Sequence, residues 1–223
     1  MVSIRSLALA GVAGLGLALM SWSQGMMMRP PDIPGKFNPV VGSGAEYKIT
    51  DNKGATHDWA LAVVGKEAVE GQEGYWVEMR TATDHGAMVM KQLMVIQGGS
   101  PSVKRMIVQS PGRPPMEMPM GMMGMMGKMG GNQPPASEAK HGMGELVGSE
   151  SVTVPAGTFQ CEHFRSTEKG KTTDVWVSTK VAPYGLVKMS GPDTSMVLQK
   201  VLEDEKSQIQ GEPQKMSFPG MPQ

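Results

Sequence analysis

The chain has 223 residues, enough for one substantial hydrophobic core. Its 21 basic and 21 acidic side chains balance, which argues against the clustered positive face that nucleic-acid binding leans on. Twenty-nine glycines and seventeen prolines suit short strands joined by turns rather than long helices.

Residues 1–24 have the form of a secretory signal peptide. Arg5 supplies the positive charge, Leu7 to Leu19 the apolar run, and Ser21 and Ser23 the small residues before a cleavage site. The run is shorter than the ~20 residues of a spanning helix. The mature chain is therefore expected to be exported, periplasmic or secreted, and soluble rather than membrane-spanning after cleavage. No cysteine lies near the junction, so none is offered there for acylation. With Arg5 removed, 20 basic and 21 acidic side chains remain, a net charge of −1 that offers no polybasic route to anionic lipid.

Residues 25–43, rich in Met and Pro, read as a linker, because proline removes ladder donors and favours extended, unpaired backbone. A single β domain is expected over 44–202. Its first half carries alternating runs at Glu46–Ile49, His57–Val64, Tyr75–Arg80, Met88–Ile96 and Val103–Val108. Asp51-Asn-Lys-Gly54 and Glu70-Gly-Gln-Glu-Gly74 supply turns between them. The period of two puts Trp59, Leu61 and Val63 on one face of their strand. Likewise Tyr75, Val77 and Met79 oppose Trp76, Glu78 and Arg80.

Residues 110–143 interrupt the pattern with SPGRPPMEMPMGMMGMMGKMGGNQPPASEAKHGM. Glycine and proline fill most gaps, so a long loop is expected, with neither helix nor paired strand favoured. Methionine thioethers are soft ligands that select Cu(I) and, unlike thiols, form no disulfides. Met116, Met118, Met120, Met122, Met123, Met125, Met126 and Met129, with His141 and Met143, are therefore candidate ligands for Cu(I) or Ag(I). Two further readings stand beside that one: an adaptable apolar loop packed on the sheet, and a sink for oxidants.

The second half, Val152 to Leu202, is the most regular part of the chain. Runs at Ser151–Val154, Thr158–Phe164, Asp174–Ser178, Leu186–Met189 and Ser195–Leu202 alternate between Gly, Pro and Asp turns, the pattern of an antiparallel meander. Residues 203–223 read as a flexible, solvated tail. Cys161 is the only cysteine, so no intrachain disulfide supports the fold. Cys161 and His163 share a strand face and supply two metal donors, but burial is the expected state of that thiol.

Candidate catalytic arrangements are sparse. His57-Asp58 and Asp84-His85 are adjacent pairs whose side chains point to opposite faces of a strand. Glu46, Glu78 and Glu162 are the carboxylates a spatial pair would draw on, and nothing in their spacing singles them out. No nucleophile elbow, His-Glu-x-x-His or phosphate loop is present, so no enzyme is expected.

The progression Val154-Pro-Ala-Gly-Thr-Phe-Gln-Cys161, Asp174-Val-Trp-Val-Ser178 and Pro183-Tyr-Gly-Leu-Val-Lys188 resembles exported bacterial families related in architecture to lipoprotein carriers of the LolA and LolB type. The resemblance spans about fifty residues. It implies a strongly curved antiparallel sheet, an unclosed half-barrel whose apolar concave side holds acyl chains, and it carries no catalytic residues. The chain departs from those carriers in having no amphipathic helix to lie across that side. The expected fold is thus all-β, a curved antiparallel sheet or half-barrel of about 9–11 strands. The expected function is non-enzymatic binding of an apolar ligand such as lipid or a lipidated partner. Cu(I) or Ag(I) binding and a purely structural role in the envelope are the alternatives.

Overall fold

The computed structural model describes residues 37–97, 100–119 and 144–215. Among these residues are twelve strands and no helix. They are β1 (Gly44–Asp51), β2 (Thr56–Val69), β3 (Gln72–Thr83), β4 (Gly86–Gln97), β5 (Ser100–Gln109) and β6 (Met116–Met118), then β7 (Glu145–Val154), β8 (Gly157–Glu168), β9 (Lys171–Val177), β10 (Leu186–Ser190), β11 (Thr194–Leu202) and β12 (Gln214–Lys215). All belong to one curved, open sheet in the order β12-β6-β5-β4-β3-β2-β1-β11-β10-β9-β8-β7. Two meanders, β1–β5 and β7–β11, join where β1 pairs with β11. Every pairing is antiparallel except β12 with β6. The ten alternating runs of the sequence correspond to β1–β5 and β7–β11. The three-residue β6 and two-residue β12 are too short to carry a readable alternation.

Turn chemistry sets the hairpin registers. Glu70-Gly71 and Lys169-Gly170 have positive φ at both residues, the geometry of a primed turn whose twist matches the flanking strands. Val69 therefore pairs with Gln72, and Glu168 with Lys171. At Gly44 the requirement is space, because a Cβ there would lie 2.5 Å from the Leu61 carbonyl oxygen.

Register places Tyr47, Trp59, Leu61, Val77, Met79, Met90 and Met94 on one face, together with Leu198, Met196, Met189 and Val175. This inner face holds the main core, in which Tyr47, Leu198 and Met196 are almost wholly buried. The sheet rolls to close it. The β9–β10 connection crosses to β4, where the Tyr184 hydroxyl donates to Met94 Sδ at 3.9 Å. Phe37 packs between Tyr184 and Tyr75. At the other end β7 packs against β10 and β11, and Val154, Phe159 and Cys161 join the same buried cluster from the face opposite Val175. Tyr47 donates to the Leu186 carbonyl at 3.0 Å, and burial pushes its phenol pKa up.

The outer face of β3–β5 carries a second, smaller core of Trp76, Leu93 and Ile107. Residues 203–215 of the expected tail lie among the described residues, and 216–223 lie outside them. Residues 203–211 cross this face as a strap, with Ile209 against the small core. The reason is Glu78, whose side chain is fully buried. It accepts hydrogen bonds from Arg80 Nε at 3.0 Å, Ser207 Oγ at 2.6 Å and the Gln208 amide at 2.9 Å. Arg80 also pairs with Glu205 at 2.6 Å. A carboxylate in a strand interior needs such partners, and the chain after β11 supplies them.

Two other boundaries differ from expectation. Residues 37–43, assigned to a linker, dock on the domain: the Asn38 amide donates to the Pro183 carbonyl and the Gly42 amide to that of Val63. Residues 116–118, assigned to a loop, pair with β5 as β6 and are held there by Arg105 to Glu117 at 2.7 Å.

Candidate functional site

The inner face does not end with the packed core. Met79 pairs with Met90, Met90 with Val108, and Val108 with Met116. In the neighbouring row Val77 pairs with Gln92, Gln92 with Met106, and Met106 with Met118. Paired residues in an antiparallel ladder share a face, with Cβ atoms roughly 4.5–5.5 Å apart. Met88, Met90, Met106, Val108, Met116 and Met118 thus form one continuous apolar surface on β4–β6. All six are half-buried. The main core reaches Met90 and Val103, whereas Met106, Val108, Met116 and Met118 belong to neither packed cluster. Beyond Trp59 on the same face, His57 pairs with Ile49, and its Nε2 is buried with no hydrogen-bond partner among the described residues.

Lys91, Arg105 and Glu117 lie on the other face of these strands. Lys91 Nζ lies 4.8 Å and the Arg105 guanidinium 5.2 Å from the Trp76 ring centre, and Trp76 Nε1 donates to Glu67 at 2.9 Å. Desolvation lowers the Lys91 pKa. The strap and the β4–β5 end also enclose an open cleft of about 520 Å3 between Val89, Gln109, Pro111, Ser207, Gln208 and Gln210. Its described lining is polar through Gln109, Ser207, Gln208 and Gln210.

Of the candidate ligands in the methionine-rich stretch, Met116 and Met118 lie in β6 on the inner face. Met120, Met122, Met123, Met125, Met126, Met129, His141 and Met143 lie outside the described residues. Met88, Met90 and Met106 were not singled out by sequence, although Met-x-Met at 88/90 repeats that at 116/118. Only the hairpin registers show that the two pairs share a face.

Cys161 and His163 share the opposite face from Val175, as their spacing requires. Burial first, and then the charge of Glu150, push the Cys161 thiol up to about 11. His163 Nε2 lies 2.7 Å from Asp174 Oδ1, and its Nδ1 lies 3.3 Å from Glu150 Oε1. Both ring nitrogens therefore face carboxylates. Trp176 stacks on the imidazole at 4.5 Å between ring centres and donates to Glu150 at 2.6 Å. Burial works against the Asp174 carboxylate, but hydrogen bonds from Arg165 and His163 outweigh it and hold the pKa below the usual range. His163 and Asp174 thus belong to one polar network with Arg165, Glu150 and Trp176, whereas Cys161 Sγ donates to the Phe159 carbonyl at 3.6 Å.

The other candidates separate. Asp58 and the Asp84-His85 turn are exposed. Glu46 and Glu162 are exposed on strands far apart in the sheet, and Glu78 is held by the strap. Among the described residues no three His, Cys, Asp or Glu side chains converge as a metal-binding group. No helix among them is long and apolar enough to cross a membrane.

No protein-family model matches the sequence, and no curated protein does. Two crystal structures are similar in outline. One is a candidate lipoprotein of Parabacteroides distasonis, at 13% identity and TM-score 0.39, covering 76% of this chain and 99% of that one. The other is a candidate exported protein with a YmcC-like fold from Bacteroides fragilis, at 14% identity and TM-score 0.35, covering 76% of this chain and 100% of that one. Neither is described as a carrier of the LolA or LolB type, and likenesses of this degree fix neither family nor activity.

Proposed function

We propose that this protein is an exported, non-enzymatic binding protein that takes an apolar ligand, a lipid acyl chain or a lipidated partner, on the inner face of β4–β6. The observation that carries the reading is the half-buried surface of Met88, Met90, Met106, Val108, Met116 and Met118, which extends the inner face beyond its packed core. Binding sites for small apolar molecules are largely apolar with a few placed polar groups. Unbranched thioether side chains adapt to irregular shapes, which suits chains of varied length. The unpartnered Nε2 of His57 supplies one polar atom on the same face. Export rests on the leader-like residues 1–24.

Native mass spectrometry of the protein taken from its own compartment tests the reading. Copurified lipid that is lost from the Val108→Glu variant supports it. Ligand-free protein that also fails to take up added fatty acid ends it.

A further inference from the structure

The same face carries a second chemistry, independent of whether an acyl chain is its ligand. We infer that Met90, Met106 and Met118, with Met116 beside them, form a thioether site for a soft monovalent cation, Cu(I) or Ag(I), built on the sheet.

The register brings the sulfurs within reach. Met106 and Met118 are directly paired, and Met90 lies diagonal to Met106 through Gln92. A diagonal neighbour sits roughly 7–8 Å away, within reach of long side chains. Met90 already points along that diagonal: its Sδ lies 3.9 Å from Gln92 Nε2, over the row that continues to Met106 and Met118. Met116 is two residues from Met118 on the same strand and the same face. Three or four thioethers therefore border one spot, each side chain half-buried and still reachable from solvent.

Ligand type selects the ion. Thioether sulfur is soft and neutral, so it favours Cu(I) over Zn(II) or harder cations. The stretch of face occupied by 88, 90, 92, 106, 108, 116 and 118 contains no carboxylate, imidazole or thiol to recruit zinc. It also contains no Lys or Arg to repel a cation, because Lys91, Arg105 and Glu117 alternate to the other face. β6 fixes Met116 and Met118 in position, since Arg105 clamps Glu117 between them with hydrogen bonds of 2.7 and 3.3 Å. The site thus differs from a mobile string of methionines: its geometry is set by ladder pairing.

The test uses the full chain titrated anaerobically with Cu(I) against bicinchoninate. Three proteins are compared: wild type, the triple variant Met90→Leu, Met106→Leu and Met118→Leu, and a variant with the methionines from Met120 to Met143 changed to Leu. Leucine keeps volume and apolarity and removes only sulfur, so circular dichroism and the urea midpoint should match wild type. Wild type and the loop variant should both withdraw Cu(I) from the chelator, and the triple variant should bind it about tenfold or more weakly. If wild-type protein leaves the chelator untouched, or if only the loop variant loses Cu(I), the inference is overturned. Fatty-acid uptake by the wild-type protein would leave the apolar-ligand reading standing in either event.

Discussion

The inner face of β4–β6 and the face of β7–β9 around His163 are both partly exposed surfaces of one sheet, and they are finished in opposite ways. Around His163 every polar group has a partner: Asp174 serves His163 and Arg165, and Glu150 serves His163 and Trp176. On β4–β6 the apolar surface beyond Met90 and Val103 belongs to neither packed cluster of the described residues. A satisfied polar network resists new partners, since each one must replace an existing hydrogen bond. An uncovered apolar surface gains free energy from any partner that dries it. The contrast is why the β4–β6 face, rather than the face around His163, is the one proposed for binding.

The largest effect is expected at the device that seals the outer side of the methionine face. Glu78→Ala removes the acceptor of Arg80 Nε, Ser207 Oγ and the Gln208 amide and leaves Arg80 its pair with Glu205, and removing one member of a buried ion pair costs about 3–5 kcal/mol. Urea denaturation should show that loss, and hydrogen exchange should show residues 205–209 deprotected before the strands. Leu198→Ala, at the seam between the meanders, should cost about 2–5 kcal/mol without selective release of the strap.

Acid separates the two regions more gently. Asp174 and Glu117 have lowered pKa values, Asp174 through Arg165 and His163 against the cost of burial, Glu117 mainly through Arg105. Groups depressed in this way stabilise the fold above their unfolded values of 3.8 and 4.5 and lose that contribution as pH falls through the folded values. Stability should therefore fall below about pH 4.5, and Asp174→Asn should flatten the lower part of that profile in a thermal-melt series. The smallest effect is at Cys161, whose buried thiol should react with Ellman's reagent only as fast as the protein unfolds. Rapid reaction in the native protein would show the β8 region to be open.

Much of this fold was written in local pattern. Alternation and turns in 44–109 and 151–202 predicted ten strands and the correct facing of Trp59, Leu61, Val77 and Met79, because side-chain direction in a strand follows from period alone. The strap was not legible: Ser207, Gln208 and Ile209 look solvated until Glu78 is known to be buried. Nor was β6, whose three residues acquire meaning only from pairing with β5. The methionine face was half visible for the same reason. Met116 and Met118 stood out in a methionine-rich stretch, while Met90 and Met106 sat unremarked in strands, and their meeting depends on a bulge at Leu93/Met94 that no turn residue announces.

The most direct measurement is a fluorescence titration with 11-dansylaminoundecanoic acid on wild type, Val108→Glu and Val197→Glu. Val108 lies within the methionine surface, and Val197 on the far side of its strand beside Lys48 and Lys188. Saturable binding by wild type and Val197→Glu, weakened about tenfold or more by Val108→Glu, is the predicted result. Equal binding by all three proteins would contradict the assignment of the β4–β6 face.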